Sequence, residues 1–272
     1  MPKIRFRPPA AAGRFYESAP AALRRQVGSL VDSGRPKTEA IGCILPHAGY
    51  LYSGKVAGRT VSSLRIRPHL ILLGPNHTGA GSPFSFSLQT WETPLGKCRA
   101  DDEMAAALTA ECALLREDDR AHEAEHSLEV ELPFFQYLGG DFRIFPVCIG
   151  GGGPCELIEL GRAIANAVKK SFPPGSVLIA ASSDMTHYED SSSAGKKDRA
   201  ALDAVSGLDA EELYRRVLEM DISMCGYAPV MSLLEAAKRL GAVKAEIIEY
   251  ANSGEVSGDF SSVVGYAGVV IS

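Results

Sequence analysis

The stretch "CILPHAGY" places His47 just beyond an apolar run, "ILLGPNHTG" places His77 beyond a second, and "LIAASSDMTHY" places Asp184 and His187 beyond a third. The chain holds six histidines, so three at the ends of buried-looking strands form a pattern that one alone would not. Neutral imidazole is the commonest protein metal ligand, and its second nitrogen can be held by an outer partner. Downstream, "DISMCGYAPVMSLL" adds Cys225, followed by Gly226 and by Pro229, which suits the first turn of a helix. A thiol near a helix N-terminus and near histidines or a metal has its thiolate favoured. His47, His77 and Cys225 therefore read as a three-ligand site with open positions for water, oxygen or a substrate. Such a donor set suits iron, copper or zinc. His187 reads as a proton donor or acceptor beside it, brought near neutrality by Asp184. In an alternative without metal, Cys225 is a nucleophile and His187 its base.

A further histidine, His126 in "EAEHSLEVELPFF", lies next to Glu125 and three residues before Glu129, which puts His126 and Glu129 on one face if the segment is helical. It reads as a group that supports a ligand or binds substrate. His69 and His122 read as surface residues. Arg14, Phe15, Tyr16, Tyr50 and Tyr52 are placed to border the pocket. "IGGGGP" (149 to 154) lacks the spacing of a phosphate-binding loop and reads as a permissive turn.

The elements that must position these groups are legible as apolar runs at 41–45, 69–74, 142–150, 176–182, 245–251 and 263–271. Their hydrophobicity is continuous rather than alternating, the mark of strands covered on both faces. Between them, helical spacing recurs in 18–34 with Ser18 as its cap, in 154–172, in 209–220 with Asp209 and Glu212 as a capping pair, and from Pro229 to Gly241. Strands alternating with helices imply one layered α/β domain spanning 1–272, with a largely parallel central sheet flanked by helices. In such sheets the carboxyl ends of the strands line the ligand crevice, so His47, His77 and His187 can share one site. The polar stretch 182–200 reads as a functional or mobile loop.

Composition narrows the classes further. A net charge of −5 and a pI near 5.7 give no basic footprint for a nucleic acid. No run approaches a membrane span, and the start "MPKIRFRPPAAAGRFYES" lacks a leader's apolar core, so a soluble cytoplasmic protein is expected. Six cysteines without a CxxC pair exclude a disulfide scaffold or zinc finger, and Cys43, Cys98, Cys112 and Cys148 read as small core residues.

The motifs "AGRFYE", "PHAGYLYSG", "LLGPNHTG", "TPLG", "EHSLEVELPF", "VLIAASSDMTHY", "CGYAPV" and "YANSGEVSGD" occur in the order seen in the Memo family, also called AmmeMemoRadiSam system protein B, which the chain resembles from about residue 9 to its end. The resemblance implies the fold of class III extradiol ring-cleaving dioxygenases, with the site at one end of the sheet. It implies His47, His77 and Cys225 as the ligands of a redox metal, iron or copper, and Asp184, His187 and His126 as the other polar residues of the pocket. The ring-cleaving enzymes use two histidines and a carboxylate on ferrous iron. Here a cysteine holds the third position, which changes charge donation to the metal and adds a thiol open to oxidation. The resemblance also implies radical SAM and AMMECR-type proteins as partners, and a small molecule or peptide as ligand. The two functions it sets against each other are a metal-dependent redox enzyme and a non-catalytic peptide- or partner-binding protein.

Overall fold

Runs such as "HLILLGP" and "VLIAAS" are apolar throughout because each face of the sheet they form is covered. In the computed structural model, which describes residues 5–272, Ile71, Leu73, Ile179 and Ala181 join one apolar layer, while Leu70, Leu72, Leu178 and Ala180 join the other. Successive strand residues point to opposite faces, so a strand between two layers must be apolar at every position. Part of the stretch read for a leader, residues 1–4, lies outside the described residues. Among the described residues no helix is long and apolar enough to cross a membrane.

The strands, in chain order, are β1 (Phe6–Arg7), β2 (Gly42–Leu45), β3 (His69–Pro75), β4 (Phe84–Phe86), β5 (Thr90–Thr93), β6 (Gly96–Ala100), β7 (Arg116–Glu117), β8 (Arg143–Ile149), β9 (Val177–Ser182), β10 (His187–Glu189), β11 (Ala245–Asn252) and β12 (Val263–Ile271). They make a 12-stranded sheet with the path β1-β5-β6-β8-β3-β9-β2-β12-β10. Its centre, β6-β8-β3-β9-β2, is parallel. β12 lies antiparallel on β2, and β10 and β11 lie antiparallel on β12. The chain is thus an α/β protein with a large mixed sheet, parallel where His47, His77 and Asp184 follow its strands, while His187 lies in the antiparallel edge strand β10.

Helices Pro20–Leu30 and Gly54–Ser62 cover one face, and Pro154–Ser171 and Tyr227–Arg239 the other. Cys43, Cys98, Cys112 and Cys148 are buried in these layers, as expected. Asp209 caps the helix Ala210–Glu219 by accepting the Glu212 N–H. Ser18 caps nothing: its helix starts at Pro20 with Ala19 in the cap position, since proline supplies a preset φ and lacks the N–H a cap would satisfy. The polar stretch 182–200 is no loop beyond Asp190, whose side chain caps the helix Ser191–Ser206. Its serines and lysines occupy the solvent side while Ala194, Asp198, Ala201, Leu202 and Val205 face inward.

Candidate metal centre

β3, β9 and β2 are neighbours in the sheet and run the same way, so all three release the chain at one edge. His77 follows β3 by two residues, Asp184 follows β9 by two, and His47 follows β2 by two. Cys225 arrives from the start of helix Tyr227–Arg239. Its approach requires Gly226, where a Cβ would lie 2.2 Å from the Ser182 carbonyl oxygen and 2.5 Å from the Ser183 Cβ, distances that no side chain can occupy. The donor atoms of His47, His77 and Cys225 all fall within 4.8 Å of one another.

Hydrogen bonds fix which nitrogen of each histidine is free. A serine hydroxyl has one hydrogen, and Ser182 gives it to the Ser127 carbonyl at 2.8 Å. Its 2.7 Å contact with His47 Nδ1 is therefore Nδ1–H donating to Ser182 Oγ, which leaves Nε2 with a lone pair. Burial keeps the His47 imidazole well below its ordinary pKa, with His77 and His126 adding to the effect, so the ring is neutral and its Nε2 could serve as a ligand. His77 donates Nδ1–H to Glu125 Oε1 at 2.9 Å and its backbone N–H to Glu125 Oε2 at 2.5 Å, which frees its own Nε2. A carboxylate behind a histidine orients the ring and makes it a better donor. Burial alone would depress His77, but the bond to Glu125 and that carboxylate's charge raise it instead.

Glu125 is buried and accepts from the backbone N–H groups of His126 and Ser127 as well, each at 2.9 Å. Burial opposes its charge, yet His77 and the backbone donors hold its carboxyl down at about 2. The alternative cluster His77, Glu125 and His126 also brings donor atoms within 4.8 Å. Glu125 there already accepts four hydrogens and has little capacity left for an ion, so His47, His77 and Cys225 are the fitting set.

Cys225 Sγ lies 3.2 Å from His47 Nε2 and 3.7 Å from the Asp184 carbonyl oxygen. The expected thiolate does not follow from the protein alone: burial and the Asp184 carboxyl push this thiol up. A dication held by this residue would reverse that, because metal coordination favours the thiolate. Asp184 is itself buried and raised to about 7 by burial, against the stabilising N–H groups of His47 and Ala48; it accepts the His47 N–H at 2.8 Å. It makes no hydrogen bond to His187, the ring it was expected to tune. His187 Nδ1 instead donates to the Ser223 carbonyl at 2.9 Å, because β10 turns that ring towards residues 223–225, and its Nε2 is left bare.

His126 sits in an irregular stretch, its ring stacked between Phe15 (centroids 4.3 Å apart) and His77 (4.8 Å). Burial lowers it to about 4, so it is a neutral ring beside His47 and His77, on one side of the cup that these rings form. It shares no helical face with Glu129, which sits in the short turn Glu129–Glu131 and serves a different centre. Glu129 pairs with buried Arg7 at 2.6 Å and accepts from Tyr16 Oη and the N–H groups of Ala10 and Ala11. Arg7 in turn donates to the carbonyls of His122 and Glu125 at 2.6 Å. Of the two histidines read as surface residues, His122 is buried against Trp91, while His69 is half-buried, its Nδ1 meeting Asp101 at 2.6 Å. Ser182 and Ser127 carried no sequence signal, since buried serines resemble loop serines until their partners are known.

Comparison with known proteins places this geometry in context. A model of the "Memo-like protein" family matches residues 7–270. A MEMO1 family protein of Methanosarcina barkeri is 43% identical over 268 residues, covering 98% of this chain and 100% of the relative. One of Methanothermobacter thermautotrophicus is 41% identical over 276 residues, covering 96% and 99%. Among solved structures, an uncharacterized protein from Escherichia coli K12 superposes with a TM-score of 0.63 at 13% identity, over 85% of this chain and 99% of that one, a likeness of fold alone. The chain belongs to the Memo family.

Proposed function

We propose that this Memo-family chain is a metal-dependent redox protein whose centre is held by His47, His77 and Cys225. The observation that carries the reading is the direction of two hydrogen bonds. Each histidine donates Nδ1–H to a buried acceptor, Ser182 or Glu125, and so presents a bare Nε2 to the space shared with Cys225 Sγ. Nitrogen and soft sulfur donors of this kind suit iron, copper or zinc, and iron or copper would supply redox and oxygen-binding chemistry there. Three protein ligands leave positions open for a small molecule.

The chain's own residues then have separable tasks. Glu125 fixes the His77 ring, and Ser182 fixes that of His47. His126 and Phe15 stack in succession beside the His77 ring and line one side of the site. His187, with Nδ1 committed to Ser223, offers Nε2 to take a proton from a bound group and return it later. Asp184, near 7, keeps a buried acid beside the thiol.

Element analysis of protein purified without added metal tests the reading. Stoichiometric iron or copper, lost in Cys225→Ser, is expected; protein free of metal and unchanged in stability on adding iron, copper or zinc would remove it. A second reading, a binding protein for a peptide or a partner such as the radical SAM and AMMECR-type proteins, draws on the exposed aromatics near the cup. Tyr188 is 77% and Tyr52 39% exposed, and both neighbour Tyr266. Co-purification that survives His77→Ala but fails in Tyr188→Ala would favour it.

A further inference from the structure

Beneath the cup lies a carboxyl group that neither reading uses. Glu131 is 1% exposed, and neither of its oxygens makes a hydrogen bond. It lies beside the Ser182 hydroxyl, and the groups that face it are Asp184, the Cys43 thiol and the Tyr50 hydroxyl. None of these is a cation. A buried carboxyl without partners calls for an explanation.

The hydrogens of Ser182 supply one. Ser182 Oγ gives its single hydrogen to the Ser127 carbonyl and receives one from His47 Nδ1, so it has one lone pair left. An ionised Glu131 would face that lone pair with another, buried and uncompensated, at a cost of several kcal/mol. A protonated Glu131 has the one hydrogen the arrangement lacks.

We infer that Glu131 is a neutral carboxylic acid that donates its O–H to Ser182 Oγ, and that through this hydroxyl it is a positioning residue for both histidines of the centre. His47 leans directly on Ser182. His77 depends on it through the loop 125–127: the Ser127 carbonyl is tied to Ser182, and the same loop carries Glu125, the partner of His77. Ionisation of Glu131 would draw the Ser182 hydrogen to itself, because a charged acceptor binds about twice as strongly as a neutral one. The Ser127 carbonyl would be released and the loop would slacken. Burial of Glu131 is the largest influence against that charge; the Ser182 hydroxyl acts for it and the nearby Asp184 carboxyl against it, and the balance favours the neutral acid.

Infrared difference spectroscopy on the metal-free protein tests this independently of any metal. Wild type minus Glu131→Gln is expected to show a carboxylic-acid C=O band at neutral pH that shifts in D2O and moves in Ser182→Ala; carboxylate bands alone would overturn the inference. Should neither variant fold, the wild type decides by itself. An acid band must persist above the pH at which Asp184 ionises, and its absence there overturns the proposal. Cobalt(II) titration with nitrogen NMR of the His47 ring adds a readout of positioning. Glu131→Gln, whose amide still donates, keeps the Nδ1–H form and near-wild-type affinity, whereas Glu131→Leu loses about tenfold or more. A folded Leu variant with unchanged ring state and unchanged affinity would end the positioning role while leaving the metal reading intact.

Discussion

His47 Nε2 and Cys225 Sγ lie 3.2 Å apart although 178 residues separate them in the chain. The contact exists because β2 ends beside β9 and because Gly226 lets the helix carrying Cys225 come down on Ser182 and Ser183.

Replacing Cys225 with serine should remove the soft donor and little else, since the side chain is only partly buried. Metal affinity is expected to fall more than about 100-fold, beyond the range for loss of an outer partner, with stability within about 1 kcal/mol of wild type. Competition with a chelator and urea unfolding measure the two quantities separately.

Glu125→Gln keeps the shape behind His77 and removes the charge. Metal affinity should drop about 10- to 100-fold. The same change takes away the group that raises His77, so the titration midpoint of that ring, followed by NMR in the metal-free protein, should move to lower pH. An unmoved midpoint would mean that Glu125 does not control His77.

Arg7 and Glu129 form an ion pair with both side chains essentially inaccessible. Arg7→Met leaves Glu129 charged and unpaired in the interior and should cost about 3–5 kcal/mol, while adding Glu129→Gln should recover much of the loss. Urea denaturation of the two variants tests this, and a double variant no better than the single one would refute it.

Gly226→Ala forces a Cβ onto the Ser182 carbonyl and the Ser183 side chain. About 1–3 kcal/mol of destabilisation is expected from overpacking. Because the helix start must retreat, cobalt(II) binding should weaken even in conditions where the fold is intact.

His122 is held at about 4, chiefly by burial and secondly by the charge of Arg7. Its pKa in the unfolded chain is higher, so the unfolded state binds more protons between pH 4 and 6.5, and the stabilisation from this neutral buried histidine is lost as pH falls through that window. The loss attributable to His122 reaches about 3 kcal/mol at most. Wild type minus His122→Gln, compared by thermal or urea unfolding across the window, should show the difference shrinking towards acid pH.

By itself the sequence determined six of the twelve strands, those whose unbroken apolar runs, such as 69–74 and 176–182, mark cover on both faces, and it determined that His47, His77 and Asp184 follow the carboxyl ends of three of them; His187 instead opens the short strand β10, which no apolar run announces. The motifs quoted at the outset also carried the family. Tertiary structure decided what the local pattern could not reach. Periodicity and capping act within a turn or a strand, whereas the partner of His77 lies 48 residues away and that of His47 lies 135 away. Sequence order does not say that β3, β9 and β2 lie side by side, and only that adjacency brings Ser182 behind one imidazole and Glu125 behind the other. It moved His122 from the expected surface to the core, and it gave His187 to a carbonyl rather than to Asp184. Hydrogen bonds are directional and short, so which proton each ring carries is settled only when the strands have packed.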